Sequence, residues 1–394
     1  MLSVKNVKKS VQQKVKESNL SAIFNHIAKN DGISRVDIAK RVGLSTSTVS
    51  TLTDELIHKG VVIETGEVKS GDVGRRAIRL QINPLGGFFV CVIFAKGEFQ
   101  IDIYNLKEKL ESSCRVNYSK EILPSAYLID KIEENIEFGY KYGKFFGLLF
   151  IMPSWFNSIN SLELMKEQYG YAIESDCFRT IKNFYKDTLV LSESSIVLSA
   201  HERCYSTSTS DLPFNVLHVN LDESATSCLI INGEKFEERK AVKDFGKMGV
   251  DFNAQDDAEK NGQLKTFITT GALISATKKV LDEDITFARV VQEFKNGNQE
   301  VVKIVDKACR AFAYAISNAV GFIEVKAVIV SGEVTKLGTK FKESVCKYLF
   351  EFDKSFKNVF IKFFDDERLV SRCGMYYVFD KVFDGNNFEN AIAK

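Results

Sequence analysis

The chain reads as an α/β protein, an N-terminal winged helix-turn-helix followed by a duplicated α/β body. Three observations predict that class. Residues Arg35 to Asp54, RVDIAKRVGLSTSTVSTLTD, carry the spacing of two helices crossing at a tight turn. Two strand-like runs flanking a glycine-rich basic tip come next. Past residue 85, strand and helix segments run twice through a similar order.

Crossing helices need a small residue where their backbones meet, and Ala39 supplies it; the turn needs tolerance of positive φ, and Gly43 stands four positions on. Ile38, Val42, Leu44, Val49 and Leu52 fill the apolar positions of the shared core. Upstream, Leu20, Ile23, Phe24 and Ile27 fall at i, i+3, i+4 and i+7, one stripe of a packing helix. Ser34 and Ser45 sit where N-caps belong, and Lys59-Gly60 marks the end of the second helix. Val61 to Thr65 and Ala77 to Asn83 then read as paired strands, with GEVKSGDVGRR between them as the wing.

The second helix of such a unit lies in the DNA major groove with its first turns toward base edges. That assigns DNA contact to Ser45, Thr46, Ser47, Thr48, Ser50 and Thr51. Hydroxyls donate or accept, so they suit phosphates or several bases and specify less sharply than Arg or Asn. Gly74, Arg75 and Arg76 at the wing suit phosphates or a narrow minor groove. Arg35, Lys40 and Arg41 on the first helix read equally as DNA contacts or solvated surface, and Arg35 is counted with the interface. Charge follows the division: residues 1–84 hold 14 Lys and Arg against 8 Asp and Glu, net +6, and the remainder holds 39 against 44, net −5. A basic head on a slightly acidic body is the footprint of one segment meeting phosphate.

A chain of 394 residues, 45% apolar with 31 Phe, is long enough for more than one core. No run of apolar residues approaches a membrane span, and MLSVKNVKKSVQQK has no apolar signal region, which points to the cytoplasm. The eight cysteines, at 91, 114, 177, 204, 228, 309, 346 and 373, are scattered singly and read as reduced core thiols. The spacing divides the chain into a head over 1–84, a first α/β half over 85–200 and a second over 201–394, with Asn83 to Gly87 closing the wing and opening a linker, and the last helix packing back on the first half. Strands are predicted at Phe88 to Ala95, Glu98 to Leu106, near Ser112 to Tyr118, at Phe145 to Met152 and at Thr188 to Glu193. Further strands are predicted in FNVLHVNL, ATSCLIING and KFEERK, then at Lys326 to Glu333 and Asn358 to Phe364. Helices are predicted at Tyr127 to Tyr142, Ser195 to Tyr205, near Gln263 to Leu281 and Val301 to Val320, with one between the last two strands and one more at the end. The cleft expected between two such halves is where small ligands bind. Trp155 reads as a core residue or as a stacking wall of that cleft.

Helix-turn-helix, wing ending in Gly-Arg-Arg, Leu80-x-x-Asn83-Pro84, then a duplicated α/β body: this order resembles the ROK family of sugar-responsive repressors and sugar kinases, over nearly the whole chain. The resemblance implies an actin/hexokinase-like body, a homodimer or tetramer, double-stranded DNA as partner, and DNA affinity set by a small-molecule effector. It assigns sugar contacts to Glu193 and Asp244, which also read as plain structural acids. Three departures mark this chain. The stretch Val92 to Gly97 lacks the acid and glycines that embrace ATP phosphates, and Asp222 to Thr226 lacks the second glycine turn. Ser194 stands where the family has its catalytic Asp, so no catalytic residue and no kinase activity is expected. Lys247 replaces a zinc-ligating His, and Asp256 to Gln263 holds none of the three ligating cysteines, so no metal and no cofactor is expected. Asp256, Asp257 and Glu259 read as a solvated acidic cluster. The expected function is therefore a DNA-binding repressor, not an enzyme, whose effector is a sugar, a sugar phosphate or another metabolite. The alternative is an effector-blind regulator controlled by abundance or a protein partner.

Overall fold

A computed structural model describes residues 2–68, 77–95, 97–153, 165–166, 169–174, 176–186, 188–192, 215–231, 234–235, 244–251, 262–281, 284–364, 368–383, 388 and 392. The chain divides into two compact units: Met1–Ile151 with Leu162–Leu191 and Gly374–Lys394, and Met152–Ser161 with Ser192–Cys373. Head and first half, separate segments in the sequence, share the first unit.

The head opens with α1 (Leu2–Lys29), which begins well before the apolar stripe because no Gly or Pro interrupts residues 2–29. The stripe itself, Leu20, Ile23, Phe24 and Ile27, is fully buried; burial of each such side chain contributes about 1.5–3 kcal/mol. After β1 (Ile33–Ser34) come α2 (Arg35–Val42) and α3 (Thr46–His58). The wing strands β2 (Val62–Val68) and β3 (Ala77–Ile82) complete a sheet of order β1-β3-β2. The first wing strand runs three residues past Thr65, because Gly66 at φ 57° absorbs a bulge between Glu64 and Glu67.

The segment Asn83 to Gly87, which closes the wing, begins with a tight turn. The Asn83 backbone NH donates to Val61 O at 2.9 Å and its side-chain amide to Gly60 O at 2.7 Å; its own Oδ1 accepts from Leu85 N at 3.0 Å. A Cβ on Gly86 would lie 2.6 Å from Gly60 O, so only glycine fits. An Asn-Pro-x-Gly segment makes its hydrogen bonds locally, which is why it folds as a turn.

The first half builds on β4 (Gly87–Ala95), β5 (Glu98–Asn105) and β6 (Leu110–Asn117), an antiparallel meander. The small pair β7 (Ile122–Leu123) and β9 (Ala172–Ile173) flanks it. Helix α4 (Ser125–Gly139) leads to β8 (Lys144–Met152), parallel to β4, and α5 (Cys177–Phe184) to β10 (Thr188–Ser192). The sheet order is β10-β8-β4-β5-β6. Strand β8 is buried from Phe146 to Met152, as its unbroken apolar run requires of a central parallel strand.

The second unit repeats this plan. Strands β11 (Val216–Leu221), β12 (Ala225–Ile231) and β13 (Glu234–Lys235) are antiparallel, and β14 (Ala327–Ser331) and β15 (Phe360–Phe363) add in parallel, giving β13-β12-β11-β14-β15. Helices α6 (Thr270–Leu281), α7 (Phe287–Asn296), α8 (Gln299–Phe322) and α9 (Thr339–Phe352) contribute to one core, with Val301, Val305, Cys309, Phe312 and Ile316 as the inward stripe of α8. The helix predicted over Gln263 to Leu281 breaks at Thr269, whose extended ψ of 156° separates a Lys265–Ile268 turn from α6 and whose hydroxyl accepts from Ala272 N at 3.2 Å. Helix α7 was not anticipated; Thr286 caps it and Gly297 ends it at φ 80°. The closing helix α10 (Leu369–Val382) belongs to the first unit from Gly374 onward. The helix expected at Ser195 to Tyr205, most of KFEERK and Trp155 lie outside the described residues.

Candidate nucleic-acid interface

Two caps aim the recognition helix. Gly43 closes α2 in the left-handed region, φ 71°, with its NH on Ala39 O. An L-residue at this φ is strained, so Gly43 sets the angle at which the chain leaves α2. Ser45, extended at φ −65° and ψ 148°, accepts from Thr48 N at 3.1 Å and so satisfies a free donor at the start of α3. Val49, Leu52 and Leu56 then face inward. Thr46, Ser47, Thr48 and Thr51 are exposed and Ser50 is half-buried, so the outward face of the first turns is entirely hydroxyl.

These hydroxyls divide by what they already bond. Ser45 Oγ lies 2.9 Å from Ser47 Oγ and 2.8 Å from Thr48 Oγ1, and Thr51 Oγ1 donates to Ser47 O at 3.1 Å. Ser45 therefore acts first as a cap, a role the sequence assigned alongside DNA contact. Thr46 and Ser50 carry no such internal bond among the described residues.

Arg35 is engaged by two acids. Its Nη1 lies 2.6 Å from Glu64 Oε1 and its Nη2 lies 2.7 Å from Asp54 Oδ1, and the side chain is only 21% exposed. A guanidinium bonded to two carboxylates has little charge left for phosphate; it ties α2 to α3 and to the wing strand. The sequence concealed this because the two acids lie 19 and 29 residues away. Gly74, Arg75 and Arg76 lie outside the described residues.

Positive side chains gather at the α1–α2 junction. Arg41 donates to Asn30 Oδ1 at 2.8 Å. Burial, then Arg41 and Lys29, hold the His26 imidazole below its ordinary pKa. Lys40 is exposed on the same helix as Arg41. Sequence reading missed His26 and Lys29 because only helix packing joins residues 26 and 41.

In the body, the β4–β5 and β11–β12 turns are closed by the protein's own groups. At the β4–β5 turn, Tyr171 Oη donates to Ala95 O at 3.1 Å and to Glu98 O at 2.7 Å, while Gly97 N donates to Tyr169 O at 2.9 Å. At the β11–β12 turn, the Asp222 carboxylate accepts from Asn220 Nδ2 at 2.6 Å and from Glu333 N. Burial raises the Asp222 pKa, and those two donors oppose the rise. A carboxylate occupies these donors, where a phosphate cradle would need them free. Of the two acids assigned to sugar, Glu193 lies outside the described residues. Asp244 is exposed and lies 3.5 Å from Lys247 Nζ, the lysine standing in place of the family's histidine. The acidic cluster at Asp256, Asp257 and Glu259 lies outside the described residues. No described helix is long and apolar enough to cross a membrane.

The comparisons with known proteins agree with this geometry. A winged helix-turn-helix DNA-binding family model matches residues 18–63. The chain is 22% identical over 308 residues to the xylose repressor of Staphylococcus xylosus, covering 76% of this chain and 78% of that one. Its fold is similar to that of a ROK family transcriptional regulator described as a homologue of the E. coli MLC protein, with a TM-score of 0.74 at 16% identity, over 97% of this chain and 100% of that one. A ROK hexokinase from Thermus thermophilus matches with a TM-score of 0.54 at 11% identity, over 74% of this chain and 98% of the hexokinase. The head thus matches a winged helix-turn-helix DNA-binding model, and the chain as a whole has the fold seen in the ROK family regulator and the ROK hexokinase.

Proposed function

We propose that this protein is a transcriptional repressor that binds double-stranded DNA through α3 and the wing, as a homodimer or tetramer in the cytoplasm. The observation that carries the reading is the capped first turns of α3, whose outward face is Thr46, Ser47, Thr48, Ser50 and Thr51 and whose inward face is core. Repression is supported by the relative named a xylose repressor. Thr46 and Ser50 are the base-edge candidates, because their hydroxyls are not spent within the helix. Gly74, Arg75 and Arg76 of the wing meet the backbone or a narrow minor groove, and Lys40, Arg41 and Lys29 reach flanking phosphates.

The body is a non-enzymatic scaffold for assembly and sensing. Tyr171 closes one nucleotide turn and Asp222 fills the other, which supports loss of phosphoryl transfer. An effector, sugar-derived or another metabolite, shifts DNA affinity only through its different affinity for two arrangements of the body. In vitro selection from random duplexes with the full chain tests the reading. It is expected to recover a sequence whose affinity falls about 5- to 100-fold on Thr46→Ala together with Ser50→Ala. Recovery of no preferred sequence would overturn it.

A further inference from the structure

The head's packing helix is held by the far end of the chain. Phe24 of α1, a core residue of the head, lies 4.5 Å from Phe383, 5.5 Å from Phe379 and 5.3 Å from Phe388 between ring centroids. Phe383 in turn lies 6.1 Å from Phe89 on β4. All five rings are fully buried. One polar bond fixes the register of this contact: buried Ser21 Oγ donates to Phe383 O, just past the end of α10, at 2.6 Å. On the head's other side, Lys107 Nζ from the β5–β6 turn lies 2.9 Å from Asp31 Oδ2 and 3.2 Å from Gln81 Oε1. With the tight turn at Asn83, the head is therefore held to the first sheet at three separate places.

We infer that the C-terminal segment is part of the DNA-binding apparatus: Phe383 and Phe388 are positioning residues that clamp α1, so the head cannot reorient against the first half. An aromatic cluster is a rigid, close-packed contact with preferred ring angles, unlike a polar hinge. A fixed head on a two-fold dimer presents its two recognition helices at one separation. The protein would then read the spacing between half-sites as well as their bases. Loosening the clamp leaves each head's contacts intact and lowers the effective concentration of the second head. This functional half rests on the DNA-binding homodimer proposed above; the clamp does not.

Two readings on the full chain test it. A dye placed at position 14 of α1 through an unnatural amino acid, with a control at position 130 of α4, reports segmental motion by time-resolved anisotropy. The wild-type head is expected to tumble with the whole particle, and Phe383→Ala or Phe388→Ala to add a nanosecond component at position 14 only. Both variants leave the head's own residues unchanged. Segmental motion of the wild-type head would overturn the clamp whatever the protein binds. The second reading inserts base pairs between selected half-sites. Wild type is expected to lose about tenfold or more in affinity on a two-base-pair insertion, and the variants markedly less, with single half-site affinity equal in all three. Equal spacing dependence in wild type and variants would overturn the functional half, whereas one chain per duplex would refute the dimer alone.

Discussion

At the scale of single residues, burial and partners decide which side chains remain free to act. Arg35 and the wing arginines look alike in sequence, yet Arg35 sits against Asp54 and Glu64. Arg35→Gln is therefore expected to leave the salt dependence of DNA binding unchanged, costing at most about 1 kcal/mol of stability for a partly exposed pair. Arg75→Ala or Arg76→Ala should each reduce the log–log salt slope by about 1. A lowered slope in Arg35→Gln would return that residue to the interface. His218 offers a pH test. It is buried, its Nε2 lies 2.8 Å from Ser331 Oγ, and burial holds its pKa down at about 3. The unfolded chain takes up a proton near pH 6.5 that the folded chain refuses. The folded state's advantage is complete above pH 6.5 and is lost as pH falls toward 3. Urea midpoints of His218→Gln should fall less steeply than wild type across that window; parallel curves would show that His218 is not the titrating group.

At the scale of elements, local chemistry was legible and distant partners were not. The 3-4-7 stripe of α1, the cap residues Ser34 and Ser45, and the left-handed Gly43 follow from rules that act within a few residues. Each stands in the structure as the sequence had it. Ser45→Ala is expected to cost about 1 kcal/mol through loss of the α3 cap, and Gly43→Val about 1–3 kcal/mol through strain at positive φ. Thermal denaturation of each variant reads these losses, and unchanged midpoints would contradict the cap geometry. What the sequence did not reveal has one cause, long separation. The acids of Arg35, the Tyr171 hydroxyl on the β4–β5 turn and the contact of Phe24 with Phe383 join residues that only the fold brings together. Asn83, read as closing the wing, donates its side-chain amide to Gly60 O and accepts from Leu85 N, local bonds that make a fixed joint.

At the scale of the whole molecule, the duplication was readable because each half opens with an antiparallel meander and continues with strands laid beside its first strand. The same α/β plan serves regulators and kinases, so fold alone does not decide activity. The proposed loss of phosphoryl transfer rests on the turns, where Tyr171 and Asp222 make hydrogen bonds with the protein's own groups. Purified full chain is expected to release no phosphate from ATP above background with any sugar offered; turnover abolished by a body variant would reverse that reading. The most direct test of the central claim is fluorescence anisotropy of the full chain on its own upstream DNA against a scrambled duplex of equal length and charge. A preference for the upstream duplex of about a hundredfold or more, lost in the Thr46→Ala, Ser50→Ala double variant, is the expected result. Equal, salt-sensitive binding to both duplexes, unaffected by those substitutions, would contradict it.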